Sequence, residues 1–231
     1  MKRFWSRVSV EPDGDGWRVA LDGRPVKTQG GLPQRVRSRA LAEAMADEWR
    51  VQGETIDPRG FPMRDLVDFA IDRIAGGEDD VVGKTLAFGE TDTLCYRAPP
   101  GEALARRQDE EWEPLLGEFE REHGIAMQRV AGVIHKPQAE ATMARLRARL
   151  EALDPFELAG VHTLSSLAAS LCIGLSALDD AADADRLWLA ANLEEDLQAE
   201  MWGRDEEAEQ VREARRRSFL DAYRFLLLLR S

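Results

Sequence analysis

Trp17-Arg-Val-Ala-Leu-Asp-Gly-Arg-Pro-Val-Lys-Thr28 is the run that separates this chain from an all-helical protein. Trp17, Val19 and Leu21 share one parity, the period of a half-buried strand. Asp22-Gly23 ends the alternation in a turn, because glycine accepts the positive φ that a tight hairpin demands. Upstream, Phe4, Val8 and Val10 repeat the parity and stop at Asp13-Gly-Asp-Gly16, a second Gly-rich turn. Arg24-Pro-Val-Lys-Thr28 supplies a third strand, so the spacing predicts a three-stranded meander followed by a loop at Gln29-Gly-Gly-Leu-Pro33. Ser38 then stands as the N-cap of a helix with Leu41, Met45 and Trp49 on one face. Pro62 can open another at its first turn, with Met63, Leu66, Ala70 and Ile74 inward.

Beyond residue 77 the pattern turns helical, apart from short extended pieces at Thr91–Tyr96 and Met127–Ile134. Helices are predicted over 79–89, 101–123, 137–152, 155–178, 183–202 and 205–229. Pro114 should kink or split the second of these, since it lacks the N–H that the ladder needs. Asp154-Pro155 reads as cap plus first position of the fourth, Gly203 as the residue after a helix end, and Asp205-Glu-Glu207 as a favourable N-terminus. The fold class is therefore α+β: a small β-rich N-terminal domain with two helices over 1–76, then a mainly helical domain over 77–231, with the boundary near Gly76-Gly77.

Charge is unevenly placed. The chain of 231 residues has a net charge of −12. Residues 1–76 hold 13 basic and 12 acidic side chains, a net of +1, and residues 77–231 hold 18 and 31, a net of −13. So acidic a C-terminal part repels nucleic acid and anionic lipid and favours a basic protein partner. The most apolar stretch, Val161 to Leu178, is interrupted by His162, Thr163 and four serines, and reads as a buried helix rather than a membrane span. The first strand pattern starts almost at once, so no targeting segment is expected before it; two cysteines, Cys95 and Cys172, make no disulfide framework and fit a reducing compartment, and a monomer is the default state.

Few residues carry the pattern of a catalytic or metal site. Gly14, Gly16 and Gly30-Gly31 lack both the spacing of a phosphate loop and a following helix, and neither GxSxG nor HExxH occurs. His123, His135 and His162 are scattered without metal-ligand spacing, so no cofactor or metal is expected. His123, beside Glu122 and Gly124, suits a charged helix C-terminus. His135 suits an exposed turn, and His162 a hydrogen-bonded core position. Cys172 reads as a small buried apolar residue. Cys95, with Arg97 near it, is the one residue that could act as a nucleophile, in a hydrolase that pairs it with a histidine; it reads equally well as part of a packed strand.

Leu193-Glu-Glu-Asp-Leu-Gln-Ala-Glu-Met-Trp-Gly203 points elsewhere. At about 100° per residue, Glu194, Glu195, Gln198 and Trp202 fall in one arc, with Leu193, Leu197 and Met201 on the neighbouring arc that would dock the helix. Tryptophan beside carboxylates is suited to recognising another protein, the ring giving contact area and the acids charge complementarity. An ordinary solvated face, with Trp202 folded into the core, is the competing reading, and a general acidic adaptor is a third.

Several segments taken in order resemble the Atp12 family of F1 ATP synthase assembly chaperones. They are the Trp17–Thr28 hairpin, Ser38-Arg-Ala-Leu-Ala-Glu-Ala-Met-Ala-Asp-Glu-Trp49 and Ala70-Ile-Asp-Arg73. Further on come Thr91-Asp-Thr-Leu-Cys-Tyr-Arg97, Arg107-Gln-Asp-Glu-Glu-Trp-Glu-Pro-Leu-Leu116, and Glu195, Gln198, Trp202 and Gly203 followed by Asp205-Glu-Glu-Ala208. The chain departs from the family pattern at Gln29-Gly-Gly31, where a proline is usual, and at Met63-Arg-Asp-Leu-Val-Asp68. The resemblance implies a chaperone, not an enzyme, that binds the unassembled F1 α subunit until it is exchanged for β. It implies that Glu195, with Glu194 nearby, meets basic groups on that subunit while Gln198 and Trp202 pack beside them. Heavy use of arginine over lysine fits a bacterial, cytoplasmic member.

Overall fold

The computed structural model describes residues 1–77, 79–132, 134–203 and 205–231. The chain divides into two compact units. The first comprises residues 1–80, 154–160 and 221–231, and the second comprises 81–153 and 161–220.

In the first unit, β1 (Val8–Asp13), β2 (Gly16–Leu21) and β3 (Arg24–Pro25) form an antiparallel sheet in the order β1-β2-β3. Asp13 pairs with Gly16 and Val8 with Leu21, so the hairpin turns on Gly14-Asp15, with Gly14 at φ 62°. The three-stranded meander forms as the alternation predicts, but it starts at Val8, with Phe4 exposed outside the strand, and its third strand is only Arg24–Pro25 where Arg24–Thr28 was expected. Helix α1 (Arg39–Arg50) begins on Ser38, whose hydroxyl accepts from Leu41 N at 3.1 Å. It packs on β1 and β2 and buries Leu41, Met45 and Trp49. Trp49 meets Trp5 edge-on at 4.9 Å and Phe61 at 4.6 Å. Helix α2 (Pro62–Phe69) continues as a wider π-helical turn over Ala70–Ala75. From these turns Asp68 and Asp72 clasp the Gln29-Gly30 loop. Asp68 accepts from Gln29 N at 3.1 Å, and Asp72 accepts from Gly30 N at 2.9 Å and Thr28 Oγ1 at 2.6 Å. A Cβ at Gly30 would lie 2.8 Å from Asp72 Oδ1, so a side chain here would push the Asp72 carboxylate off these bonds.

The second unit holds α3 (Val81–Glu90), α4 (Ala103–His123), α5 (Glu140–Glu151), α7 (Leu171–Ser176), α8 (Ala184–Ala191) and α9 (Leu193–Trp202). It also takes most of α6 (Pro155–Ala168) and α10 (Glu206–Leu229). Asp154 caps α6 as expected, accepting from Phe156 N and Glu157 N while Glu157 accepts from Asp154 N, a reciprocal capping box. α4 runs unbroken through Pro114. Pro114 and Glu110, whose carbonyl it leaves without a partner, are both exposed, so water can satisfy that group and the helix does not split.

Two predicted helices are divided. The run 155–178 breaks between α6 and α7, where Ala169 adopts φ 48° and Ser170 starts a new helix. The run 183–202 breaks at the buried Asn192, whose Nδ2 donates to Trp188 O at 2.8 Å, closing α8 and opening α9. The expected extended piece 91–96 is mostly a 3-10 turn over Thr93–Cys95; only β4 (Tyr96–Arg97) is strand, pairing in parallel with β5 (Val130–Ala131). Residue 133 of the second expected piece lies outside the described residues.

Candidate functional site

Helix α9 carries the acid-and-tryptophan stripe, and α4 holds its start in place. Gln108 is fully buried; its Oε1 accepts from Ala98 N and its Nε2 donates to Glu194, both at 2.7 Å. One turn further, the buried Trp112 donates from Nε1 to Ala190 O at 2.9 Å. Glu194 therefore lies on an internal hydrogen bond that anchors α9. Glu195 points to α10, where Arg215 reaches its two carboxylate oxygens at 3.0 and 3.4 Å. Asp196 pairs with Arg212 at 2.5 Å. Arg212 and Arg215 each lie about 6 Å from the Trp188 ring, which packs on Phe219.

The apolar seam of α9 is closed at its first turn and open at its last. Leu193 is buried, Leu197 is half-buried, and Met201, expected to dock the helix, is 64% exposed. Trp202 is 76% exposed, so it does not fold into the core. Gly203 ends the helix at φ 88°, and Asp205 caps α10 by accepting from Ala208 N at 2.9 Å. Between the two helices lies a groove of about 590 Å³, lined by Glu195, Gln198, Trp202, Glu207, Val211 and Arg215 among others. Val211 is 58% exposed. Apolar side chains thus stand exposed here beside charged ones on an open face. Glu195, Gln198 and Trp202 share the groove; Glu194 is turned to α4 instead.

Arg215, Arg212 and Gln108 belong to this site and are absent from the sequence reading. Arg212 and the run Arg215-Arg-Arg217, basic residues inside an acidic segment, were the available signal for the first two. Gln108 gave none, because its partners are 10 and 86 residues away.

The alternative site at Cys95 is not assembled. Cys95 is fully buried, and burial, with Asp92 beside it, pushes its thiol up to about 12 against the pull of Arg129 and Arg97. A thiol so held stays protonated at neutral pH and has no solvent approach. Arg97 is committed elsewhere, to Glu113 at 2.5 Å and to the face of Trp112 at 5.0 Å. His123, expected to be charged, is half-buried against Phe119, and burial lowers its pKa, favouring the neutral ring. His162 is the hydrogen-bonded histidine expected, with Nδ1 2.9 Å from Thr85 Oγ1. Among the described residues, no helix is long and apolar enough to cross a membrane.

Comparison with known proteins identifies the family. The family profile described as ATP12 chaperone protein matches residues 2–120. The mitochondrial protein atp12 of Schizosaccharomyces pombe is 28% identical over 222 residues, covering 91% of this chain and 76% of its own. The crystal structure of Atp12 from Paracoccus denitrificans superposes with a TM-score of 0.92 at 38% identity, over 99% of this chain and 98% of that one. A mutant of the same Paracoccus protein matches with the same score and identity over 97% of its length. With a family profile over half its length and a solved relative at 38% identity along nearly all of it, the chain belongs to the ATP12 chaperone family, the assembly chaperones of F1 ATP synthase.

Proposed function

We propose that this chain binds the unassembled F1 α subunit through the α9–α10 groove, keeps it from aggregating, and yields it to the β subunit by exchange. The observation that carries the reading is the exposed pair Trp202 and Val211 lining a groove with Glu195 and Glu207, apolar surface that the chain leaves outside its own core. An unpaired subunit of a ring presents a wide apolar interface, an aggregation liability until covered. Covering it reversibly calls for a modest apolar contact with a charged rim, since affinity must stay low enough for the natural partner to win. Exchange needs no nucleotide and no covalent step, so the chain acts as a binding protein and not as a catalyst. Glu195, Gln198 and Trp202 make the contact and Glu194 holds the helix that presents them. A monomer in the bacterial cytoplasm meets this requirement, as does a basic, non-nucleic-acid partner for the −13 net charge of residues 77–231.

Co-expression of the tagged chain with the cognate F1 α subunit, first alone and then with β, tests this. The expected outcome is a soluble complex with the α subunit that is lost when β is present. A folded chain that retains no α subunit in the absence of β overturns the reading.

A further inference from the structure

The three consecutive carboxylates that open α9 are held in different ways. Glu194 is tied to the fully buried Gln108, and withdrawing it would strand a buried amide donor. Asp196 and Arg212 form a short pair whose side chains are only 24% and 21% exposed. Glu195 and Arg215 form a pair whose side chains are 52% and 37% exposed. Only this third pair faces the groove from both sides, with Trp202 and Val211 beside it. An ion pair this open is close to break-even in water, so exchanging one guanidinium for another costs little.

Building on the reading above, we propose that Arg215 stands in the place of a client arginine. The groove takes a client segment that carries an arginine, which displaces Arg215 from Glu195 while an apolar neighbour covers Trp202. Three observations support this. The carboxylate already holds a guanidinium, whose Nη1 alone reaches both of its oxygens. Arg215, once displaced, keeps other partners: Leu167 O at 3.4 Å and the Trp188 face at 5.9 Å. The rim beyond the pair is acidic, with Asp205 and Glu207 lining the same groove, which favours a cationic occupant. Trp202 lies seven residues from Glu195, about 10 Å along the helix. The arginine and the apolar side chain of the client should therefore sit about two helical turns apart.

The test is suppression of light scattering when the cognate F1 α subunit is diluted from urea into the chaperone. Wild type is compared with Arg215→Gln, Glu195→Gln and the double variant, and thermal melts establish that each is folded. Arg215→Gln should lower the chaperone concentration for half-suppression by about two- to five-fold, the size of one exposed pair. Glu195→Gln should raise it, and the double variant should behave as Glu195→Gln, because Arg215 acts only through that carboxylate. Should the glutamine variant melt early, Arg215→Lys, which keeps the charge but loses the second nitrogen that holds Leu167 O, should shift the midpoint in the same direction by less. Weaker suppression by Arg215→Gln would make Arg215 a positioning residue and overturn the proposal. So would midpoints unchanged in every variant, which would leave the α-subunit reading standing with a different surface. No suppression by wild type would remove that reading and this proposal together.

Discussion

Glu48 shows how a single carboxyl far from the groove shapes the first unit. It is 9% exposed on α1, and it accepts from Met63 N at 2.6 Å and Arg64 N at 3.0 Å. It thereby caps α2, whose preceding residue Phe61 offers no capping side chain. Burial outweighs those two hydrogen bonds and the Arg64 charge, and lifts the carboxyl from 4.5 to about 7. An acid whose folded pKa is raised stabilises most below its unfolded pKa, and that contribution is lost as pH rises through the folded pKa. The window is therefore about pH 4.5 to 7, and the full swing is on the order of 3 kcal/mol. Glu48→Gln, which cannot titrate, should gain on wild type by that amount between pH 4.5 and 8, whatever its fixed cost from one lost acceptor. Urea unfolding of both chains across this range checks it; a constant difference would mean that Glu48 stays ionised throughout. The Ser38 cap was legible in the sequence because it acts three residues away, on Leu41 N. Glu48 was not, because it caps from 15 residues upstream.

The same distinction decides what could be read of whole elements. Period-two alternation and glycine turns are local, and the meander follows from them. The apolar run 155–178 is also local, and it predicts one helix where the chain makes two. What divides it comes from Asp92 and Thr93. Thr93 N and Oγ1 both take the Ala169 carbonyl, at 3.1 and 2.9 Å, and remove it from the helical ladder. The buried Asp92 then caps the new helix, accepting from Ser170 Oγ at 2.7 Å and Cys172 N at 2.8 Å. Asp92→Ala should cost on the order of 3 kcal/mol, since it removes the acceptor of the buried Ser170 hydroxyl proton and of the buried Leu94 and Cys172 N–H groups. Ala169→Gly should stabilise by about 1 kcal/mol, because an exposed alanine at φ 48° carries left-handed strain that glycine lacks. Chemical denaturation of the two variants should give shifts of opposite sign; a destabilised Ala169→Gly would mean that this strain is absent. The proposed binding face divides in the same way. Glu195, Gln198 and Trp202 follow from helical period alone, whereas Arg215 arrives from α10 and Gln108 from α4. Met201 was misread because period assigns a seam but not how far along the helix that seam stays covered.

At the scale of the molecule, charge is the property that sequence alone settles, and it bears directly on how a client is met. Contiguity is not so settled: residues 221–231 continue the helix that begins at Glu206, yet they join the unit built on residues 1–80. No pattern along the chain could announce this, because it depends on packing between segments more than a hundred residues apart. Net charge needs no such knowledge. Residues 77–231 carry −13, and the groove that we assign to the client is rimmed by Glu195, Asp205 and Glu207. A field of that sign draws in a cationic client surface before contact and acts mainly on the rate of encounter. Salt screens it over about 10 Å at roughly 0.1 M and over about 3 Å at roughly 1 M. Association of the F1 α subunit with the immobilised chaperone should therefore slow by about ten-fold or more between low salt and about 0.5 M. Dissociation, governed by the packed contacts around Trp202 and Val211, should change much less. The opposite pattern, with a flat association rate and a salt-sensitive dissociation rate, would place the carboxylates inside the closed contact and not at its rim. Trp202→Ala then separates the two contributions: it should speed dissociation and leave the salt dependence of association as it was.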